Sequence, residues 1–191
     1  MIDWDRNHEE KGRLVSGTSL QEIANRHGFD IPVKKRVMEI GVGKGVATRT
    51  LCELGNEVVA VDISKVALNS VSSFVKEVCH TLDIKKIASV DLAFAHLVMQ
   101  HNWAGEVQRI INDVPLNSKG IFSFQFATLS PCSINENVAS YINNCELYFY
   151  SEDKMRDIIS STNKTLISIV PPTRMPWRGA VFEWRVAKVR V

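Results

Sequence analysis

Arg36-Val37-Met38-Glu39-Ile40-Gly41-Val42-Gly43-Lys44-Gly45 is the stretch whose reading decides the fold. Residues 36–40 read as a short buried strand, and the glycines at every second position after it make a tight turn. Ala47, Leu51 and Leu54 then recur at helical spacing, and Gly55-Asn56 closes that helix. Glu57 to Val61 is β-rich and ends at Asp62. Ser64 is a natural N-cap for a helix whose apolar face is Leu68, Val71, Phe74, Val75 and Val78. Strand, glycine turn, helix, strand, acid is a βαβ unit, and its right-handed crossover makes the two strands parallel neighbours.

The alternation continues outward from that unit. Residues 89–95 predict a strand leading into His96-Leu97-Val98-Met99-Gln100-His101. Ala104, Val107, Ile110, Ile111 and Val114 predict an amphipathic helix stopped by Pro115, and residues 120–127 an aromatic-rich strand whose Phe122, Phe124 and Phe126 are assigned to the core. Ser151 caps a helix with Glu152 and Asp153 in its first turn, burying Met155, Ile158 and Ile159. Thr165–Val170 and Val181–Val189 predict two last strands, paired antiparallel because no helical pattern separates them. The expected fold is α/β, a three-layer sandwich around a mostly parallel sheet that closes on a C-terminal antiparallel hairpin.

A single domain over residues 1–191 is expected, with residues 1–33 as a polar N-terminal cap and 34–191 as the core. The cap carries helical signals only at Leu20, Ile23 and Ala24 and is expected to cover one end of the sheet. Residues 129–147 interrupt the core as an insertion after a strand end, where lids and substrate loops are commonly found.

Composition narrows the class. Of 191 residues, 45% are hydrophobic and 23% charged, which excludes a disordered chain and a membrane bundle. The formal net charge of +2 gives no reason to expect nucleic acid or a membrane surface as partner. The acidic start Met1-Ile2-Asp3-Trp4-Asp5 does not read as a signal peptide, so a cytoplasmic chain is expected. Cys52, Cys79, Cys132 and Cys145 form no close pair, so reduced thiols and no metal site are expected.

Ligands of open α/β sheets bind beyond the carboxyl ends of the strands. That places Glu39 to Gly45, Asp62, Asp83, His96 to His101, Gln125 to Thr128 and the 129–147 insertion around one crevice. An acid ending the second strand can accept from a ribose diol, so the glycine turn and Asp62 point to an adenosine-type cofactor. A phosphate-gripping P-loop needs Lys followed by Ser or Thr, and Lys44 is followed by Gly45. A dinucleotide turn wants Gly or Ala at its third position, where Val46 stands. Glu39 would be unhelpful beside a pyrophosphate but suits a cationic ligand, whose glycine loop it could also order through hydrogen bonds.

Glu39-Ile40-Gly41-Val42-Gly43-Lys44-Gly45 resembles the first motif of class I S-adenosylmethionine-dependent methyltransferases. Val59-Ala60-Val61-Asp62-Ile63-Ser64 resembles their second, and Asp91 to His101 resembles the fourth-strand segment of the small-molecule and sugar branch. The resemblance covers residues 34–127. It implies a seven-stranded Rossmann-like sheet of order 3-2-1-4-5-7-6 and S-adenosylmethionine as cofactor. It also implies Glu39, Gly41, Val42, Gly43, Gly45, Asp62, Ile63, Asp83 and His96 as cofactor residues, with Asp83 meeting the adenine. Only seven residues separate Asp83 from Asp91, so the helix usual there must be missing or vestigial.

The expected activity is methyl transfer to a small-molecule acceptor, a hydroxyl oxygen of a sugar or metabolite. An alcohol benefits from a base, and His96 and His101 are the candidates. An NAD-dependent oxidoreductase and a catalytically silent cofactor-binding protein remain open from the residues alone.

Overall fold

The computed structural model describes residues 3–6, 18–128, 139–142, 145–177 and 180–191. In chain order, α1 is Leu20–His27, β1 Arg36–Ile40, α2 Val46–Glu53, β2 Glu57–Asp62, α3 Lys65–Val71 and β3 Glu77–His80. A 3-10 segment Thr81–Lys86 leads to β4 Val90–Ala95, and a second, Met99–His101, to α4 Ala104–Asp113. Then come β5 Leu116–Thr128, β6 Ala139–Ile142, β7 Cys145–Tyr148, α5 Glu152–Ser160, β8 Thr165–Ile169, β9 Thr173–Trp177 and β10 Ala180–Arg190.

The central sheet runs β3-β2-β1-β4-β5-β10-β8. Its β1, β2, β3, β4 and β5 pair in parallel, and β10 is antiparallel to both β5 and β8. Both faces are covered, which is why β1, β2 and β4 read as nearly unbroken apolar runs. Met38, Val59, Ala93, Phe122, Phe124 and Phe126 pack with α4 and α5 on one face, so the three phenylalanines belong to the core. Val37, Val58, Leu92 and Phe94 pack with α1 and α2 on the other, beside Ala60 and α3.

Three expectations are modified, and the loss of the helix between Asp83 and Asp91 is borne out. The 1–33 segment contributes α1, closed by a Ser19–Glu22 capping box and by Gly28 at φ 62°. Its Leu20 and Ile23 are buried against a face of the sheet rather than covering its end. The helix after Ser64 stops at Val71, and Val78 lies exposed on β3, a strand too short to show in the periodicity. Between Asp83 and Asp91 only the 3-10 turn remains of the crossover helix. The last two core strands are not joined by a bare hairpin tip. Pro171 and Pro172, which lack N–H groups, interrupt the edge, and β9 resumes it by pairing with Ala180 to Trp184 of β10. Within the 129–147 insertion, β6 and β7 pair as a separate antiparallel ribbon, and residues 129–138 lie outside the described residues.

Candidate active site

The carboxyl ends of β1, β2, β4 and β5 define the crevice, and pleat alternation decides what faces it. Glu39, Asp62 and His96 stand on the side of the sheet that carries α1, α2 and α3. The backbone leaves β1 through Gly41, whose N–H donates to Val61 O at 2.7 Å and holds the turn against the end of β2. A Cβ on Gly45 would run into Val71 Cγ1, so the close approach of the turn to α3 requires glycine there. Gly43 differs: at φ 50° its Cβ position meets nothing within 4 Å. Its backbone is therefore open for a ligand to approach. Val42 is buried under the turn with Ala60, Ala67 and Val71, and Lys44 points outward, exposed.

Asp62 ends β2 almost fully buried. Its Oδ2 accepts from Gly43 N at 3.3 Å and its Oδ1 from Ser64 N at 2.9 Å, so one carboxylate ties the glycine turn to the cap of α3. Ile63, next to it, is 43% exposed, an apolar surface at the rim of the crevice. Asp83 lies three residues past β3, its carboxylate lowered in pKa by the hydrogen bond and charge of Lys86 at 2.5 Å.

Glu39 is buried at 4% exposure and accepts from Thr48 Oγ1 at 2.7 Å. The expectation that it orders the glycine loop is corrected: its bond goes to α2, and the loop is tied by Asp62 and Val61. Burial pushes the Glu39 carboxyl up to about 8, with Asp62 adding to the rise and Thr48 opposing it. A carboxyl in that state is poised to ionise when a cation comes alongside.

The backbone leaves β4 through a strained turn, Leu97 at φ 57°, and this turn sets the height of His96. His96 Nδ1 lies 3.2 Å from His27 Nε2, and its Nε2 lies 3.5 Å from an Arg26 guanidinium nitrogen. His27 is fully buried, between the rings of Phe29 and Phe94, with Nδ1 3.0 Å from Ser123 Oγ. Burial depresses both imidazoles, His27 to about 3 and His96 to about 4, so both are neutral at pH 7. Phe124 pairs with Ala95, so Gln125 stands at the level of His96; its amide oxygen is buried with no hydrogen-bond partner among the described residues.

His101 meets a different neighbour from His96. Its ring packs against Trp4 edge to face, centroids 5.0 Å apart. The neighbouring Asp5 accepts at Oδ1 from Ser64 Oγ at 2.7 Å and from Val66 N at 3.2 Å. The N-terminal turn thus touches both the start of α3 and the 3-10 segment that follows β4. His8 and Arg13, in the same polar segment, lie outside the described residues. Arg174 pairs with Glu183 at 3.3 Å, and Trp103 is 60% exposed at the start of α4. Cys52 and Cys79 are free thiols, and the described residues hold no cluster suited to a metal.

Three residues at this site went unread in the sequence: Asp5, Arg26 and His27. Only His27 left a signal, falling on the stripe of Leu20, Ile23 and Ala24 at helical spacing.

Residues 38–114 match the family described as a methyltransferase domain, from β1 through α4 and so including the glycine turn, Asp62 and both crevice histidines. No curated protein matches the chain in sequence. A methyltransferase structure from Methanosarcina mazei, described as S-adenosylmethionine-dependent, superposes with a TM-score of 0.67 at 12% identity, over 88% of this chain and 95% of that one. The 1,6-didemethyltoxoflavin-N1-methyltransferase of Burkholderia thailandensis gives 0.63 at 18% identity, over 90% and 75%. Magnesium protoporphyrin IX methyltransferase of Synechocystis gives 0.58 at 16%, over 90% and 78%. At such identities the likeness is one of fold.

Proposed function

We propose that this chain, a class I S-adenosylmethionine-dependent methyltransferase by its domain match and its fold, transfers the methyl group to a hydroxyl oxygen of a sugar or another small metabolite. The similar structures act on acceptors as different as a toxoflavin precursor and a magnesium porphyrin, so the fold does not choose among acceptors. The hydroxyl reading is carried by one observation: a neutral imidazole, His96, at the end of β4 on the face that carries Glu39 and Asp62. His101 is the second candidate base.

The residues present fit S-adenosylmethionine. Gly43 leaves an open cradle, Asp62 offers a carboxylate to a ribose, Ile63 an apolar rim, and Glu39 a buried carboxyl that a cation would ionise. Glu39, Gly41, Val42, Gly43, Gly45, Asp62, Ile63, Asp83 and His96 are proposed to hold it. When bound, the cofactor supplies an electrophilic methyl carbon on a sulfonium. The chain has then to align the acceptor oxygen with that carbon and keep water out, an orientation worth several orders of magnitude in effective molarity. His96, depressed to about 4, is unprotonated at neutral pH; the same burial weakens it as a base, so it would take the hydroxyl proton only as the oxygen gains the methyl and becomes acidic.

Calorimetric titration with S-adenosylhomocysteine, with NAD as parallel control, tests the cofactor assignment. Micromolar binding of the thioether alone is expected, and tighter binding of NAD would overturn it. A product-release assay against a panel of sugars and other alcohols then tests the acceptor class. Turnover on amines but on no alcohol would refute the hydroxyl reading.

A further inference from the structure

His27 has no place in the chemistry so far, yet it is a fully buried titratable group in contact with the proposed base. Read inward from the Arg26 contact, the hydrogen bonds around His27 select one arrangement of protons. A guanidinium can only donate, so at the Arg26 contact His96 Nε2 must accept and carries no hydrogen. The proton of neutral His96 is then on Nδ1, and it is donated across 3.2 Å to His27 Nε2. That makes His27 an acceptor at Nε2 and places its own proton on Nδ1, facing Ser123 Oγ at 3.0 Å. Reversing the chain would set an N–H of His96 against the N–H groups of Arg26.

We infer that His27 is a positioning residue for His96: through the Ser123–His27–His96 chain it fixes the Nδ1–H tautomer and leaves the Nε2 lone pair facing the crevice as the base. The inference rests on the reading of His96 given above. Arg26 is exposed and at 3.5 Å holds Nε2 only loosely, so an acceptor hydroxyl can replace it. The hydroxyl proton then passes to His96 Nε2 and the oxygen gains the methyl carbon, while the pair of the broken C–S bond stays on sulfur. The imidazolium so formed keeps its Nδ1–H bond to His27 and later releases its Nε2 proton to water. The charged and titratable groups around the pair are Arg26 of α1, acting on both rings, Glu22 of α1, acting on His96, and Lys188 of β10, acting on His27. The two cations and the burial keep His27 neutral, so it acts as an acceptor and not as a second base.

Nitrogen-15 NMR of the full chain with labelled histidine tests this without cofactor or acceptor. At pH 7 both His27 and His96 are expected as Nδ1–H tautomers. His27→Leu removes the acceptor and should shift the His96 tautomer ratio toward Nε2–H by about tenfold, the equivalent of one hydrogen bond. His27→Gln, whose amide oxygen can still accept, should restore the Nδ1–H form. Ser123→Ala, a small change that keeps the strand, should shift the ratio in the same direction as His27→Leu and decides the matter if the leucine variant does not fold. A parent His96 in the Nε2–H form, or a ratio unmoved in every folded variant, overturns the inference. S-adenosylhomocysteine binding, expected within twofold of the parent in these variants, separates this outcome from failure of the cofactor assignment.

Discussion

Replacing Gly43 by alanine separates the role of the glycine turn in folding from its role in binding. Gly43 sits at φ 50°, where an L side chain costs about 1–2 kcal/mol. Alanine returns roughly 0.5–1 kcal/mol by restricting the unfolded chain. Nothing in the fold lies within 4 Å of the new Cβ, so no packing penalty is added. The net loss is about 1 kcal/mol, a fall of about 2–4 °C in Tm for a chain of this size. Gly45→Ala is the contrast. It carries the same backbone cost at φ 70°, and its Cβ would also collide with Val71, adding about 1–3 kcal/mol of overpacking. If the open space over Gly43 is where the cofactor approaches the backbone, Gly43→Ala should weaken S-adenosylhomocysteine binding at least about tenfold, or 1.4 kcal/mol, in a protein that is otherwise folded. Thermal melts and calorimetric titration of the two variants give both quantities. A Gly43→Ala protein with the small Tm loss and a Kd within twofold of the parent would refute the assignment of the turn as a cofactor cradle.

Asp62→Ala should weaken S-adenosylhomocysteine by roughly 1–3 kcal/mol, one to two orders of magnitude in Kd by titration, if Asp62 binds a ribose; unchanged affinity in the folded variant removes Asp62 from the site. Glu39, raised to about 8, binds its proton more tightly folded than unfolded, so stability should decline as pH rises from about 4.5 through 8. Between 6.5 and 8 the Tm of the parent should fall, and Glu39→Gln should flatten that limb. His96, lowered to about 4, has the opposite sign: its unfolded form binds the proton first, so stability is complete above about 6.5 and is lost toward 4, by about 3 kcal/mol for this group alone. His96→Leu should retain its Tm further into acid than the parent, and identical acid limbs would show that the imidazole is not buried in solution.

The elements legible in the sequence are those whose pattern is enforced from both sides. The strand 36–40, the glycine turn and the strand ending at Asp62 can be read because a strand covered on both faces must be apolar throughout and because the turn between them tolerates only particular residues. β3 is not legible for the converse reason. At Glu77–His80 it is a short edge strand with one half-exposed face, and Val78 there mimics the next position of the helix before it. β9 is hidden by the prolines just before it: Pro171 and Pro172 read as a turn, yet they only break an edge that resumes at Thr173 once β10 supplies the partner. No local pattern carries that information, because the pairing is with residues that come later in the chain.

The site divides along the same line. Glu39, Gly43 and Asp62 belong to one βαβ unit, so their proximity follows from local topology and is legible in the residues alone. His96 can be placed at the crevice for the same reason, but its chemical state cannot. That state depends on α1, which arrives from far along the chain and turns the ring of His27 inward at the fourth position of an apolar stripe. A histidine on such a stripe ordinarily reads as a satisfied core residue, and His27 is one: its Nδ1 is satisfied by Ser123 and its Nε2 by His96, the proposed base. A helix recruited by its leucine and isoleucine thereby determines which nitrogen of a histidine 69 residues away holds the proton. If His96 is the base proposed above, an acceptor reaching its Nε2 also meets the guanidinium of Arg26, so α1 would take part in selecting it.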